Sequence, residues 1–466
     1  MTQRLLLWWK DIFNDKDFYK KLMVIAIPIT LQQLIGSSLN MVDTLMIGMV
    51  GEKELAAVGL ANQFFLIILM GITGISSGAA IFTSQFWGKK DIANIRKILG
   101  FTLVGVTIVT TIGTSFVLIF PHKIMRFFTP DREVIRLGVE YLQVVSISYI
   151  FTAITFAYGF NLRSIGDTTL PMGVSIIAVL VNVFFNWVFI FGNLGAPALG
   201  VAGAALATTI ARIIETIVLV SIVYLRKGVF AAKFKELFGF SKDLISRVSV
   251  PVMFVVLNEL CWGLGAVVYS SAYGHINAEA AASVQISNTI VNLLTVTVFG
   301  LAGAAATMVG NKIGEGQEEE GKLYAKRIIV IGVIFSAVMS VILAVSAGTI
   351  VNIFSVSDSV ASASRTILYI TSVILILRTV NVLLIVGILR GGGDARSALL
   401  IEAISMWIVG VPMALLGSFV FKLPVEAVVA MVSIEEIAKF ILSMHRFKSG
   451  KWAHNVISDL PESIEI

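Results

Sequence analysis

From residue 22 to residue 445 the chain is a succession of apolar runs, broken only by short clusters of charge, glycine or proline. A helix of about 20 such residues crosses the hydrocarbon of a bilayer. Read against their breaks, the runs predict crossings near 22–50, 54–86, 95–120, 135–160, 169–192, 200–225, 246–273, 278–310, 325–351, 363–388, 397–420 and 425–445. Twelve crossings in 466 residues leave no room for a soluble domain of ordinary size. Charged residues make up 14% of the chain and the mean hydropathy is +0.91, against roughly 25% charged in a soluble domain. The expectation is an all-α membrane protein.

The formal charge of +6 could suggest nucleic acid, but polytopic proteins carry excess Lys and Arg on their cytoplasmic loops. Along the alternating topology one side carries 25 Lys and Arg and the other 7. Both termini are therefore placed in the cytoplasm, which requires an even number of crossings. The protein is expected to be a multi-pass protein of the cell inner (plasma) membrane and a monomer, with no nucleic-acid partner. Residues 1–21 have too short an apolar run for a signal peptide and read as an interfacial segment. Residues 226–245 form a basic amphipathic connector expected along the inner membrane surface.

An internal repeat divides what lies between. Pro28 to Gly51 and Pro251 to Gly274 have the same proline-to-glycine separation of 23. SGAA at 77–80 recurs as AGAA at 302–305, LRSIGD at 162–167 recurs as LRGGGD at 389–394, and Ala211-Arg212 recurs as Ala438-Lys439. The offset drifts only from 223 to 227, so there are few insertions. The chain reads as an N-lobe (22–225), a connector (226–245), a C-lobe (246–447) and a cytoplasmic tail (448–466). Six crossings per lobe is an even number, so both halves enter from the same side and are related by a pseudo-two-fold axis along the membrane normal. Transporters built this way bind cargo between their halves and alternate access by rocking.

Several stretches, in this order, resemble one family: PITLQQLIGSSLNMVDTLMIGMVGEKELAAVGLA from the first crossing, NVFFNWVFIFG and LGVAGAALAT across the fifth and sixth, LNELCWGLG in the seventh, and GILRGGGD after the tenth. The family is the multidrug and toxic compound extrusion (MATE) family, and the likeness covers roughly 20–450. It implies a secondary antiporter that exports amphiphilic, often cationic organic compounds in exchange for Na⁺ or H⁺, with no other cofactor. The wider superfamily also contains flippases for lipid-linked saccharides. That alternative calls for a basic cavity able to hold diphosphate, for which only Arg378 and Arg212 lie at depth.

Charged groups at bilayer depth are costly and by default mark an ion or substrate pathway. Asp43, eight residues before Gly51, lies roughly 12 Å from the outer end of its helix. Burial there favours either protonation or a coordinated cation. The resemblance matches it to the family's acidic position in the first helix and pairs it with Asn182 and Asn186 in the fifth, with Thr208 a possible neighbour in the sixth. Many relatives carry Asp at the position of Asn186, so this chain has one charge fewer there. One carboxylate with amide and hydroxyl oxygens suits Na⁺, a hard cation; Asp43, Asn182 and Asn186 are the candidate ligands, and H⁺ remains open.

Glu259, near the middle of the seventh crossing, matches an acidic position of some family branches and could carry a proton. Arg378, in the tenth crossing, is its candidate partner and would oppose that role. Arg212 with Glu215 and Glu435 with Lys439 are spaced to pair along their helices; these and Glu402 read as structural. An export cavity needs adaptable walls with few polar contacts. Its candidates are Gln32, Gln33, Asn40, Asn62, Gln63, Gln285, Asn288 and Asn292, with Met41, Tyr149 and Trp262 as soft or aromatic contacts. An intramembrane enzyme is disfavoured, since no histidine lies at depth and Cys261 has no neighbouring base. The glycines at 391–393 follow a membrane helix and need only form a tight turn.

Overall fold

The computed structural model describes residues 12–354 and 356–458, and every regular element among them is helical. The main helices are α1 (Lys16–Gly48), α2 (Glu52–Lys89), α3 (Ile92–Ile119), α4 (Arg132–Val145), α5 (Ser148–Ser164), α6 (Thr169–Phe191), α7 (Gly200–Leu225) and α8 (Lys242–Ile276). They continue as α9 (Ala278–Gly314), α10 (Glu318–Val351), α11 (Asp358–Leu389), α12 (Ala395–Val420), α13 (Val425–Val432) and α14 (Ile434–Lys448). Ten are long and apolar enough to span a bilayer singly, and α4 with α5, bent by 51°, makes an eleventh candidate. The sequence treats 425–445 as one crossing. In the structure Ser433 divides it into α13 and α14, and Glu435, Glu436 and Lys439 lower the apolar character of the second piece. The all-helical membrane fold expected from the apolar runs is the one observed.

Two compact units divide the described chain: residues 12–30 with 257–458, and residues 31–256. Each boundary falls a few residues after a proline inside a long helix, Pro28 in α1 and Pro251 in α8. An interior proline removes a backbone hydrogen bond and lets a helix bend there. The start of α1 thus belongs with the second half of the sequence and the start of α8 with the first. Glycines make these associations close. In the 31–256 unit, a Cβ at Gly74 of α2 would lie 2.7 Å from Val256 Cα, and one at Gly78 would lie 3.0 Å from Val252 Cα. In the other unit Gly300 of α9 meets the Thr30 side chain and the Ala26 carbonyl of α1. Because backbone blocks Gly74, Gly74→Val should overpack this contact by about 1–3 kcal/mol. The expected result is a lower unfolding midpoint in detergent and less membrane-inserted protein.

Of the segment expected at the interface, residues 1–11 lie outside the described residues. Its remainder packs inward: Phe18 is buried, Tyr19 donates to the Ile12 carbonyl at 2.6 Å, and Arg327 of α10 pairs with Asp15 at 2.6 Å. The connector also packs inward. Arg96 of α3 pairs with Glu236 at 3.0 Å and donates to the Val229 carbonyl at 2.9 Å, while Phe230 and Leu237 are buried.

Candidate functional site

The 31–256 unit brings together the four residues singled out around the first acid. Asn182 and Asn186 share a face of α6, one turn apart, and both are 1% exposed. Asn182 Nδ2 donates to Thr208 Oγ1 of α7 at 3.3 Å. Asn186 Nδ2 donates to Asn182 Oδ1 at 2.9 Å and also to Asp43 Oδ1 of α1. With its nitrogen spent on two acceptors, Asn186 turns its Oδ1 into the interior, where that atom is buried without a partner. A buried unpaired acceptor is costly. The donor set is thus a carboxylate beside an unpartnered amide oxygen, and this fits a small hard cation or a proton-bearing species. Asp43, Asn182 and Asn186 would hold it.

A second polar chain in the same unit involves residues to which the sequence assigned other roles. Arg163 donates to Gln32 Oε1 at 2.6 Å, Gln32 Nε2 donates to Ser175 Oγ at 2.9 Å, and the Ser175 hydroxyl donates to Glu215 at 3.3 Å. Glu215, 2% exposed, pairs with Arg212 at 2.7 Å, as the i, i+3 spacing predicts. Gln32 is therefore engaged within its unit.

In the other unit Glu259 does not meet Arg378. Its partner is Arg390, at 2.7 Å, which also donates to Asn258 Oδ1. Arg378 lies 4.0 Å from Glu436. Helix geometry explains the difference, since twelve residues separate Arg378 from Arg390, roughly 18 Å of rise. Glu259 lies level with the LRGGGD turn, and Arg390, which falls between the crossings expected at 363–388 and 397–420, is buried against it. The repeat carries part of the signal: Arg390 lies 227 residues after Arg163 in the recurring LRSIGD and LRGGGD segments, and each arginine meets the opening helix of its half, Arg163 at Gln32 and Arg390 at Glu259.

Among the proposed cavity contacts, Tyr149 is 1% exposed and stacks on Phe65 at 4.6 Å, so it belongs to the packed core. Met41 and Trp262 are exposed, as are Gln33, Asn40, Asn62 and Gln63. Asn62 accepts a long bond from the Tyr141 hydroxyl at 3.4 Å. Gln285, Asn288 and Asn292 are exposed along one face of α9.

Spanning helices that bury hydrogen-bonded acids and amides at depth define the class as a polytopic membrane transporter. A family model, MatE, matches residues 28–188 and 251–416. The chain belongs to this family, whose members are transporters rather than enzymes. It is similar to a probable multidrug resistance protein, NorM, of Thermotoga maritima, with 25% identity over 94% of each chain. It is also similar to an uncharacterized transporter, YisQ, of Bacillus subtilis, with 25% identity over 94% of this chain and 95% of that one. Among solved structures, a MOP superfamily transporter from Pyrococcus furiosus aligns with a TM-score of 0.84 at 18% identity, over 93% of this chain and 96% of that one. An outward-facing multidrug resistance MATE family transporter aligns with a TM-score of 0.83 at 18% identity, over the same shares.

Proposed function

We propose that this protein is a secondary antiporter of the plasma membrane, with both termini cytoplasmic, acting as a monomer. It exports amphiphilic, cationic organic compounds by alternating access in exchange for Na⁺ or H⁺. The observation that carries this reading is the Asp43–Asn186–Asn182–Thr208 chain with its unpartnered amide oxygen. An acid held among neutral oxygens can bind one small cation and release it when the surroundings change. The naming of relatives as multidrug resistance proteins supports the substrate class. Flippase chemistry calls for cations free to hold diphosphate. Here Arg212, Arg390 and Lys439 are each paired with carboxylates, which favours the antiporter.

In this mechanism Asp43 holds the incoming ion, the α6 amides and Thr208 orient it, and cargo leaves when the ion is bound. Proteoliposomes loaded with a fluorescent lipophilic cation test it, with Na⁺ and H⁺ gradients imposed separately. At least one inward gradient should accelerate efflux of the dye. Efflux indifferent to both gradients would overturn the proposal.

A further inference from the structure

A second buried group of charges lies in the 257–458 unit, where the sequence suggested only structural pairs. Lys439 Nζ of α14 sits 2.9 Å from Glu402 Oε1 of α12 and 2.8 Å from Glu435 Oε1, one turn back on its own helix. Glu402, Glu435 and Lys439 are 6%, 5% and 7% exposed. The Tyr269 hydroxyl of α8 donates to Glu435 Oε2. Glu435 therefore accepts a bond on each oxygen, whereas among the described residues the bond to Glu402 comes from Lys439 alone.

The charge does not close. One ammonium faces two carboxylates, leaving one negative charge in excess at depth. The surroundings do not cancel it. Glu436 accepts from Asn381 at 2.7 Å and has Arg378 at 4.0 Å, so that pair balances itself. The other titratable groups facing the triad, Tyr269, Tyr273 and Cys261 of α8, can supply no positive charge. A buried charge without a counter-charge neutralises itself by taking up a proton or a cation.

Two further observations point the same way. At the 227-residue offset of the repeat, Lys439 corresponds to Arg212, Glu402 to Ser175 and Glu435 to Thr208. The second half thus carries two carboxylates where the first half has two hydroxyls, Thr208 at the end of the Asp43 chain and Ser175 in the chain from Arg163 to Glu215. The helix is also modified there. α12 runs in π-helical turns over 404–410, a departure that often marks functional sites, and Gly410 lacks the Cβ that would collide with the Tyr269 hydroxyl and Glu435. Ser405, three residues on from Glu402, and Thr379, beside Arg378, have buried hydroxyls without partners.

We propose that the Glu402–Lys439–Glu435 triad is a proton-binding site, with the exchangeable proton on Glu402. Lys439 already fills the position between the carboxylates and repels a metal cation. A proton needs only one free carboxylate oxygen, and Glu402 supplies it. As a coupling site the triad rests on the export reading above; as a proton site it does not.

Infrared difference spectroscopy of the full chain in lipid, stepped from acid to alkaline buffer, tests it. One component of the protonated-carboxyl band should titrate in the parent protein, be lost in Glu402→Gln and persist in Asp43→Asn. Lys439→Met should enlarge the band, because both carboxylates then lack a cation; this arm does not depend on Glu402→Gln folding. In vesicles, Glu402→Gln should lower proton-driven efflux by about tenfold or more. A band unchanged by both Glu402→Gln and Lys439→Met overturns the proposal even where export is intact. A band that follows these variants in a protein showing no gradient-driven efflux leaves the proton site standing and removes the export reading.

Discussion

Asp43→Asn is expected to leave the protein folded and inserted while reducing gradient-driven efflux by about two orders of magnitude, or ~3 kcal/mol. The shape of the side chain is kept, so packing around α1 and α6 changes little. The charge is lost, and with it the group able to exchange a cation. The fold should tolerate the change, because removing a buried charge relieves its desolvation while costing a charge-assisted hydrogen bond of about 1.5–3 kcal/mol. Efflux from dye-loaded proteoliposomes, read beside a thermal unfolding scan, separates the two effects. Thr208→Val provides the graded comparison. It removes one long neutral bond at the far end of the chain, worth about 0.5–1.5 kcal/mol, and should slow efflux by only a few-fold. Equal losses in the two variants would mean that the network acts as structure rather than as an ion site.

How far the sequence reveals this site depends on how local each relation is. Apolar run length reports on the bilayer directly, so the spans are legible, apart from the split at Ser433. The i, i+3 and i, i+4 pairs are equally plain, and Arg212–Glu215 and Glu435–Lys439 are found as spaced. Asp43 with the α6 asparagines comes from the family resemblance, and the structure brings these residues into hydrogen-bond contact. Relations across helices are different, because they depend on rotation and axial stagger that no single run encodes. The sequence therefore points Glu259 to the wrong arginine, and Glu402 gives no sign of the lysine that it meets from α14. Tyr149 shows the same limit, since a tyrosine that could line a cavity and one packed in a core look alike along the chain.

The pair the sequence missed should have the largest effect on stability. Arg390→Met strips Glu259 of its ion-pair partner and Asn258 of a charged donor. Breaking a buried pair from one side costs about 3–5 kcal/mol, because the remaining charge stays in low dielectric. The Glu259 side chain is 25% exposed, so water can partly solvate it and the loss should fall toward the lower end of that range. Glu259→Gln should cost less, since an amide oxygen can still accept from Arg390, as Gln32 accepts from Arg163 in the other half. The double variant should recover part of the Arg390→Met loss, giving a coupling of about 0.5–3 kcal/mol in a mutant cycle of unfolding midpoints. Transport then distinguishes a brace from a switch. If the pair only braces α8 against the end of α11, the double variant regains efflux along with stability. If it exchanges partners during transport, stability returns and efflux does not, because neutral side chains cannot trade a cation.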